Sequence, residues 1–122
     1  MEGYSSPEKL EKDQKQSYSI PTKLPSNSFA LEGNWTVNAE SASADVGSAL
    51  EFNFNSRDVF LVMNPLSELA VVQVWLDGKE YKQLKVDTNK LYELVKLEKG
   101  GSHKLRIKVI EGSISAFAFT FG

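Results

Sequence analysis

The chain has no cysteine. This excludes disulfides, thiolate nucleophiles and zinc sites built on cysteine, and it leaves the compartment open, because a cysteine-free domain is at home in oxidising and reducing surroundings alike. Histidine is almost as scarce, with His103 the single example. A lone histidine without cysteine argues against a transition-metal site. No serine stands in a Gly-x-Ser-x-Gly elbow for it to activate, which argues against a hydrolytic triad. His103 reads instead as a residue that caps a turn or pairs with a carboxylate. No charge of one sign dominates: the net charge is −2 and the Lys and Arg residues are scattered. No basic face for a nucleic-acid backbone is expected. No apolar run approaches the roughly 20 residues of a membrane helix, and no basic segment leads into an apolar signal core. If the domain works outside the cytoplasm, the export signal is expected on another part of the parent protein.

What the chain does have is alternation. Its 122 residues, 41% of them apolar, suffice for one core without metals or staples. From Phe29 onward the hydrophobic period is two, with turn signals about every ten residues. Strands are expected at Trp35-Thr36-Val37, Leu50–Asn55, Asp58–Met63, Val71–Leu76, Lys79–Val86, Leu91–Leu97, His103–Val109 and Ser113–Gly122; Leu91–Leu97 could also be a helical turn, but Gly100-Gly101 three residues on favours the strand. Ala39–Gly47 reads as a short strand or a loop. Asp58–Met63 is so apolar that it suggests a central strand covered on both faces, or one with a wall against a neighbouring element. Asp77-Gly78 marks a two-residue hairpin, since both positions tolerate positive φ. The pattern predicts an all-β domain: an antiparallel β-sandwich of about eight strands, jelly-roll or immunoglobulin-like, with the jelly roll preferred. The closing strand is expected to put Phe117, Phe119 and Phe121 in the core.

Residues 1–17 differ from the rest. They are charged and nearly without apolar anchors, and read as a flexible linker from a preceding domain, or at most one helical turn capped by Ser6 with Pro7 at its first position. The domain proper is expected over residues 18–122. Tyr18, Ile20 and Leu24 pin an extended segment along an edge, and Pro21 and Pro25 keep it out of any central strand.

Trp75 is the candidate ligand-binding residue. On its strand Val72, Val74 and Leu76 share one face, so Trp75 points out if that face is the core. An outward aromatic can stack on a sugar ring or meet a partner. A simple two-residue hairpin puts Tyr81 opposite Val74 on the core face, which leaves Trp75 without a second aromatic. Trp35 reads as a core or edge-sealing residue. The glycosylation pattern Asn34-Trp35-Thr36 is discounted as a chance occurrence. Asp45, Asp58, Asp77 and Asp87 fall near strand ends, where turn chemistry explains them better than calcium. Lys104, Arg106 and Lys108 form a cationic stripe on an outward face, with Glu51 a candidate partner across the sheet.

Several landmarks together carry a resemblance. Leu31-Glu32-Gly33-Asn34-Trp35-Thr36-Val37, Asp58-Val59-Phe60-Leu61-Val62, Val74-Trp75-Leu76-Asp77-Gly78, Leu91-Tyr92-Glu93-Leu94-Val95, His103-Lys104-Leu105 and the closing Ala116-Phe117-Ala118-Phe119-Thr120-Phe121-Gly122 resemble the thioredoxin-like C-terminal domain. That module follows the redoxin domain in DipZ-type cytochrome c biogenesis and thiol:disulfide interchange proteins. The resemblance spans about Tyr18 to Gly122. It implies a sandwich similar to carbohydrate-binding modules, a non-catalytic accessory role and an extracytoplasmic setting. The redox chemistry of such proteins belongs to the Cys-x-x-Cys of the redoxin domain, and none of it transfers to this cysteine-free chain. No cofactor or metal is implied. A glycan is the first partner expected. The alternative is a protein-interaction or dimerisation module that docks on the redoxin domain or on a second copy. Neither nucleic acid nor a transmembrane segment in this chain is expected.

Overall fold

In the computed structural model of the chain, which describes residues 4–121, the alternating pattern becomes ten strands. They are β1 (Lys15–Tyr18), β2 (Phe29–Val37), β3 (Ala42–Asp45), β4 (Ala49–Asn55), β5 (Asp58–Pro65), β6 (Val71–Leu76), β7 (Lys79–Lys85), β8 (Lys90–Lys96), β9 (Ser102–Glu111) and β10 (Ser113–Phe121). The eight expected strands are present. The additions are β1 and β3, the latter resolving Ala39–Gly47 in favour of a short strand.

Every strand pair is antiparallel, in the order β7-β6-β9-β4-β2-β3-β10-β5-β8, with β1 also on β2. The long β2 belongs to two sheets: Phe29–Glu32 pairs with β4, and Trp35–Val37 pairs with β3. Between these halves stands Gly33 at φ +83°, where an added Cβ would lie 3.1 Å from the Ser48 Cα. Glycine meets both requirements, the positive φ and the close approach. The ladder therefore folds over at β2 and the two inner faces oppose each other. Phe52 of β4 and Phe119 of β10 meet across the gap with ring centroids 4.9 Å apart. The result is an all-β, jelly-roll-like antiparallel sandwich.

The core follows the alternation. Leu105, Ile107 and Val109 of β9 are buried, as are Val72 and Val74 of β6 and Val59, Leu61 and Met63 of β5. Each such side chain contributes about 1.5–3 kcal/mol. Trp35 is 1% exposed, and its Nε1 donates to the carbonyls of Glu32 at 3.0 Å and Ala49 at 3.2 Å, so its role is structural. Phe60 and Val62, on the other face of β5, are half-buried; that strand is covered fully on one side.

Three expectations fail for identifiable reasons. First, β10 carries a bulge between Ala116 and Phe119, against Met63 and Leu61 of β5. One extra residue reverses the phase of a strand. Ile114 and Ala116 are thus the buried apolar residues, beside a buried Ser115, while Phe117 is 40% exposed at the bulge. Phe119 is half-buried, and Phe121 sits at the open end of the sandwich, 44% exposed and in contact with Phe52. Second, a bulge between Val74 and Trp75 pairs Val74 with Lys82 and leaves Tyr81 as the extra residue on β7. Tyr81 is exposed rather than in the core, and its hydroxyl donates to the Lys96 carbonyl at 3.1 Å. Third, among the described residues the segment before β1 forms no helical turn. Ser6 caps nothing helical: its hydroxyl donates to the Leu31 carbonyl at 3.0 Å and accepts the Leu31 amide at 2.8 Å. Tyr18 is buried and meets Tyr4 edge-on at 6.3 Å. Glu8 accepts from the Ser19 amide and hydroxyl. Residues 4–18 run along β2, and the edge pairing falls at Lys15–Tyr18, just before the proline segment. Met1–Gly3, part of the linker expectation, and Gly122, the last residue of the closing strand, lie outside the described residues.

Candidate ligand-binding site

The outer face of the first sheet, formed by β7, β6, β9, β4 and the Phe29–Glu32 half of β2, collects most of the singled-out residues. Register does the work: Trp75 of β6 sits opposite Glu80 of β7 and Arg106 of β9, and Arg106 sits opposite Glu51 of β4. With Val72, Val74, Leu105 and Ile107 buried beneath, the parity of the strands sends Trp75, Arg106 and Glu51 outward together. Trp75 is half-buried on that face.

The charges around it are ordered. Arg106 Nη1 donates to Glu51 Oε2 at 2.7 Å, and Nη2 donates to Glu32 Oε2 at 2.8 Å. Its guanidinium carbon lies 5.9 Å from the Trp75 ring centre, in the range of a cation–π contact. Lys104 Nζ stands 2.8 Å from Glu51 Oε1 and forms an ion pair with it. Glu51 is 7% exposed despite its charge. Burial works against the Arg106 charge, but the hydrogen bonds and charges of Glu32 and Glu51 outweigh it and hold the guanidinium above its ordinary range. Glu51, Trp75, Gly78, Lys104 and Arg106 bound a depression of about 390 Å³.

Beside it the β6–β7 turn is built as the sequence suggests, with Asp77 at φ +52° and Gly78 at φ +84°. Asp77 Oδ1 accepts the Lys104 amide at 2.9 Å, and Oδ2 lies 2.6 Å from His103 Nδ1. His103 therefore pairs with a carboxylate. Partial burial pushes the Asp77 carboxyl up, but the Lys104 amide and the hydrogen bond and charge of His103 prevail and hold it below the ordinary aspartate value.

The other candidates do not converge here. Asp45 pairs with Lys15, Asp58 with Arg57, and Asp87 lies by the Tyr92 hydroxyl. Among the described residues no three His, Asp or Glu side chains gather as a metal site. Tyr81 is drawn to Lys96 and does not join Trp75 in an aromatic pair. The reach of Glu32 to Arg106 went unforeseen, since no sequence spacing marks which residues of β2 and β9 become neighbours.

The sequence profile of the thioredoxin-like C-terminal domain family matches residues 1–122. The protein DipZ of Mycobacterium bovis is 28% identical over 86% of the chain, and the chain spans 15% of that relative's length. Among solved structures, a family two carbohydrate esterase from Cellvibrio japonicus superposes with a TM-score of 0.70 at 18% identity, over 76% of this chain and 30% of the esterase. A family 6 carbohydrate-binding module superposes with a TM-score of 0.50 at 14% identity, over 98% of this chain and 94% of the module. At these identities the structural likeness concerns the fold.

Proposed function

Because the chain belongs to the thioredoxin-like C-terminal domain family, we propose that it is a non-catalytic accessory module of a larger extracytoplasmic redox protein, and that it binds a glycan on the outer face of its first sheet. One observation carries the glycan reading. Trp75 lies half-buried on an outward face beside a depression ringed by Glu51, Lys104 and Arg106. A sugar ring presents an apolar C–H face to an indole and hydroxyls to charged neighbours, which fits that combination. The non-catalytic reading is supported by the hydrogen-bond partners of His103, which among the described residues include Asp77 but no serine for the ring to activate. The test is calorimetric titration of neutral and acidic oligosaccharides into the wild type and Trp75→Ala. The expected result is saturable binding that weakens at least about tenfold in the variant, a loss of about 1.4 kcal/mol. An absence of binding across the panel overturns the reading.

A second reading has its own observation. Phe60 and Val62 lie half-buried on the outer face of β5. They supply an apolar patch for docking on a redoxin domain or a second copy. Sedimentation of the chain alone and mixed with the redoxin domain of its parent tests it, and a monomer that ignores that domain at high concentration removes it.

A further inference from the structure

A second concave site lies away from Trp75, inside the sandwich. A cavity of about 140 Å³ is bounded by Leu31, Trp35 and Leu61 at its floor, with Ala42 and Ala116 on its walls. The three floor residues are each 1% exposed. Of its ten lining residues only Ser41 and Trp35 carry a polar side-chain atom, and both are engaged: the Ser41 hydroxyl donates to Asn38 Oδ1 at 3.2 Å, and Trp35 Nε1 donates to the Glu32 and Ala49 carbonyls. No Lys, Arg, Asp or Glu lines it. Its outer end lies beside Phe117, which the β10 bulge turns to solvent, 40% exposed. The bulge thus has a consequence for shape: it withdraws a large ring from the space between the sheets and leaves the small Ala116 facing it.

We infer that this cavity binds the uncharged aryl or alkyl end of a small apolar ligand, of about six carbons. Size supports this, because an apolar cavity of about 150 Å³ takes up benzene when enclosed, and this one has about that volume although it opens beside Phe117. Chemistry supports it too. Water needs two or more polar partners, which this lining does not offer, while a hydrocarbon gains the dispersion contacts the walls otherwise lack. A ligand with a charged end would have to leave that end outside, past Phe117, since the lining holds no counter-charge.

The test uses the intact chain, with benzene, hexanol and sodium hexanoate as probes, followed through the methyl resonances of Leu31, Leu50 and Leu61. Benzene and hexanol are expected to shift these methyls saturably, with Kd of about 1 mM or tighter, and to raise Tm. Hexanoate is expected to bind more weakly than hexanol, since it tests the missing counter-charge. Ala116→Leu is expected to fill the space and abolish the shifts. Ala42→Leu, at the paired position on the neighbouring strand β3, serves the same purpose if the first variant does not fold. Silent methyls at saturating benzene overturn the inference, as do shifts that persist undiminished in a folded cavity-filling variant. Hexanoate binding as tightly as hexanol overturns the uncharged class.

Discussion

The Arg106 guanidinium lies 5.9 Å from the Trp75 ring centre while its two ends bind carboxylates on two other strands, Glu51 of β4 and Glu32 of β2. One side chain thus positions the aromatic and neutralises a carboxylate that is 7% exposed. Arg106→Met keeps length and apolar bulk but removes the charge. It leaves Glu51 with Lys104 as its remaining cation. The expected destabilisation is about 2–3 kcal/mol, less than for a fully buried pair because Lys104 stays. Urea denaturation checks it. In Arg106→Met with Glu51→Gln, much of the loss should return, since the cost lies in the stranded charge rather than in the missing contact.

How far the sequence reaches is clear from this face. The outward phase of Trp75 follows from parity alone, because Val72 and Val74 fix which side is core. The Asp77-Gly78 turn is equally legible, since few residues accept its backbone angles. The bulges are not. An extra residue in β7 or β10 is settled by the partner strand and the closure of the sandwich, and Tyr81 and Phe117 read as well-phased until the register is known. The segment before β1 misleads differently. Its attachment is partly polar, since Ser6 bonds the Leu31 backbone through its hydroxyl, and such a bond leaves no hydrophobic pattern; Tyr4 and Leu10, which pack against the core, are too few to show a period.

The aromatic C-terminal strand yields a graded prediction. Ile114 is 1% exposed, Phe119 is half-buried, and Phe117 and Phe121 are 40% and 44% exposed. Ile114→Ala should cost about 2–4 kcal/mol and Phe119→Ala about 1–3 kcal/mol, with Phe117→Ala and Phe121→Ala lower than either. Equal costs for Phe117 and Phe119, measured by chemical denaturation, would place the bulge elsewhere.

Two glycines separate strain from collision. Gly112 has φ +70°, and an added Cβ would fall 2.0 Å from the Leu69 carbonyl oxygen, a backbone atom. Gly47 has φ +91° with nothing within 4 Å. Gly47→Ala should cost about 1–2 kcal/mol for its backbone angle alone. Gly112→Ala must also move the 67–69 loop and should cost clearly more. Thermal melts of the two variants compare the effects directly; a cheaper Gly112→Ala would show that the loop yields freely.

The Asp77 pairing with His103 and the Lys104 amide should appear in the acid limb of stability. Its carboxyl is held below the ordinary aspartate value in the folded chain. The unfolded chain therefore takes up a proton there first as pH falls. The stabilisation is fully present above the unfolded value of about 3.9 and is lost as pH drops through the folded one. Glu8 is also lowered, by its hydrogen bonds from Ser19, and contributes to the same limb. Asp77→Asn isolates the first contribution. Asparagine tolerates the positive φ of the turn and can accept the Lys104 amide, so the change removes charge more than shape. Side-chain exposure of 51% at Asp77 means that solvent screens the effect, and its size should be modest. The variant is expected to be less stable than wild type above about pH 4, and the two Tm curves should converge as pH falls below that. A stability difference that is constant across the acid range would assign the loss to the turn geometry and not to the ionised carboxylate.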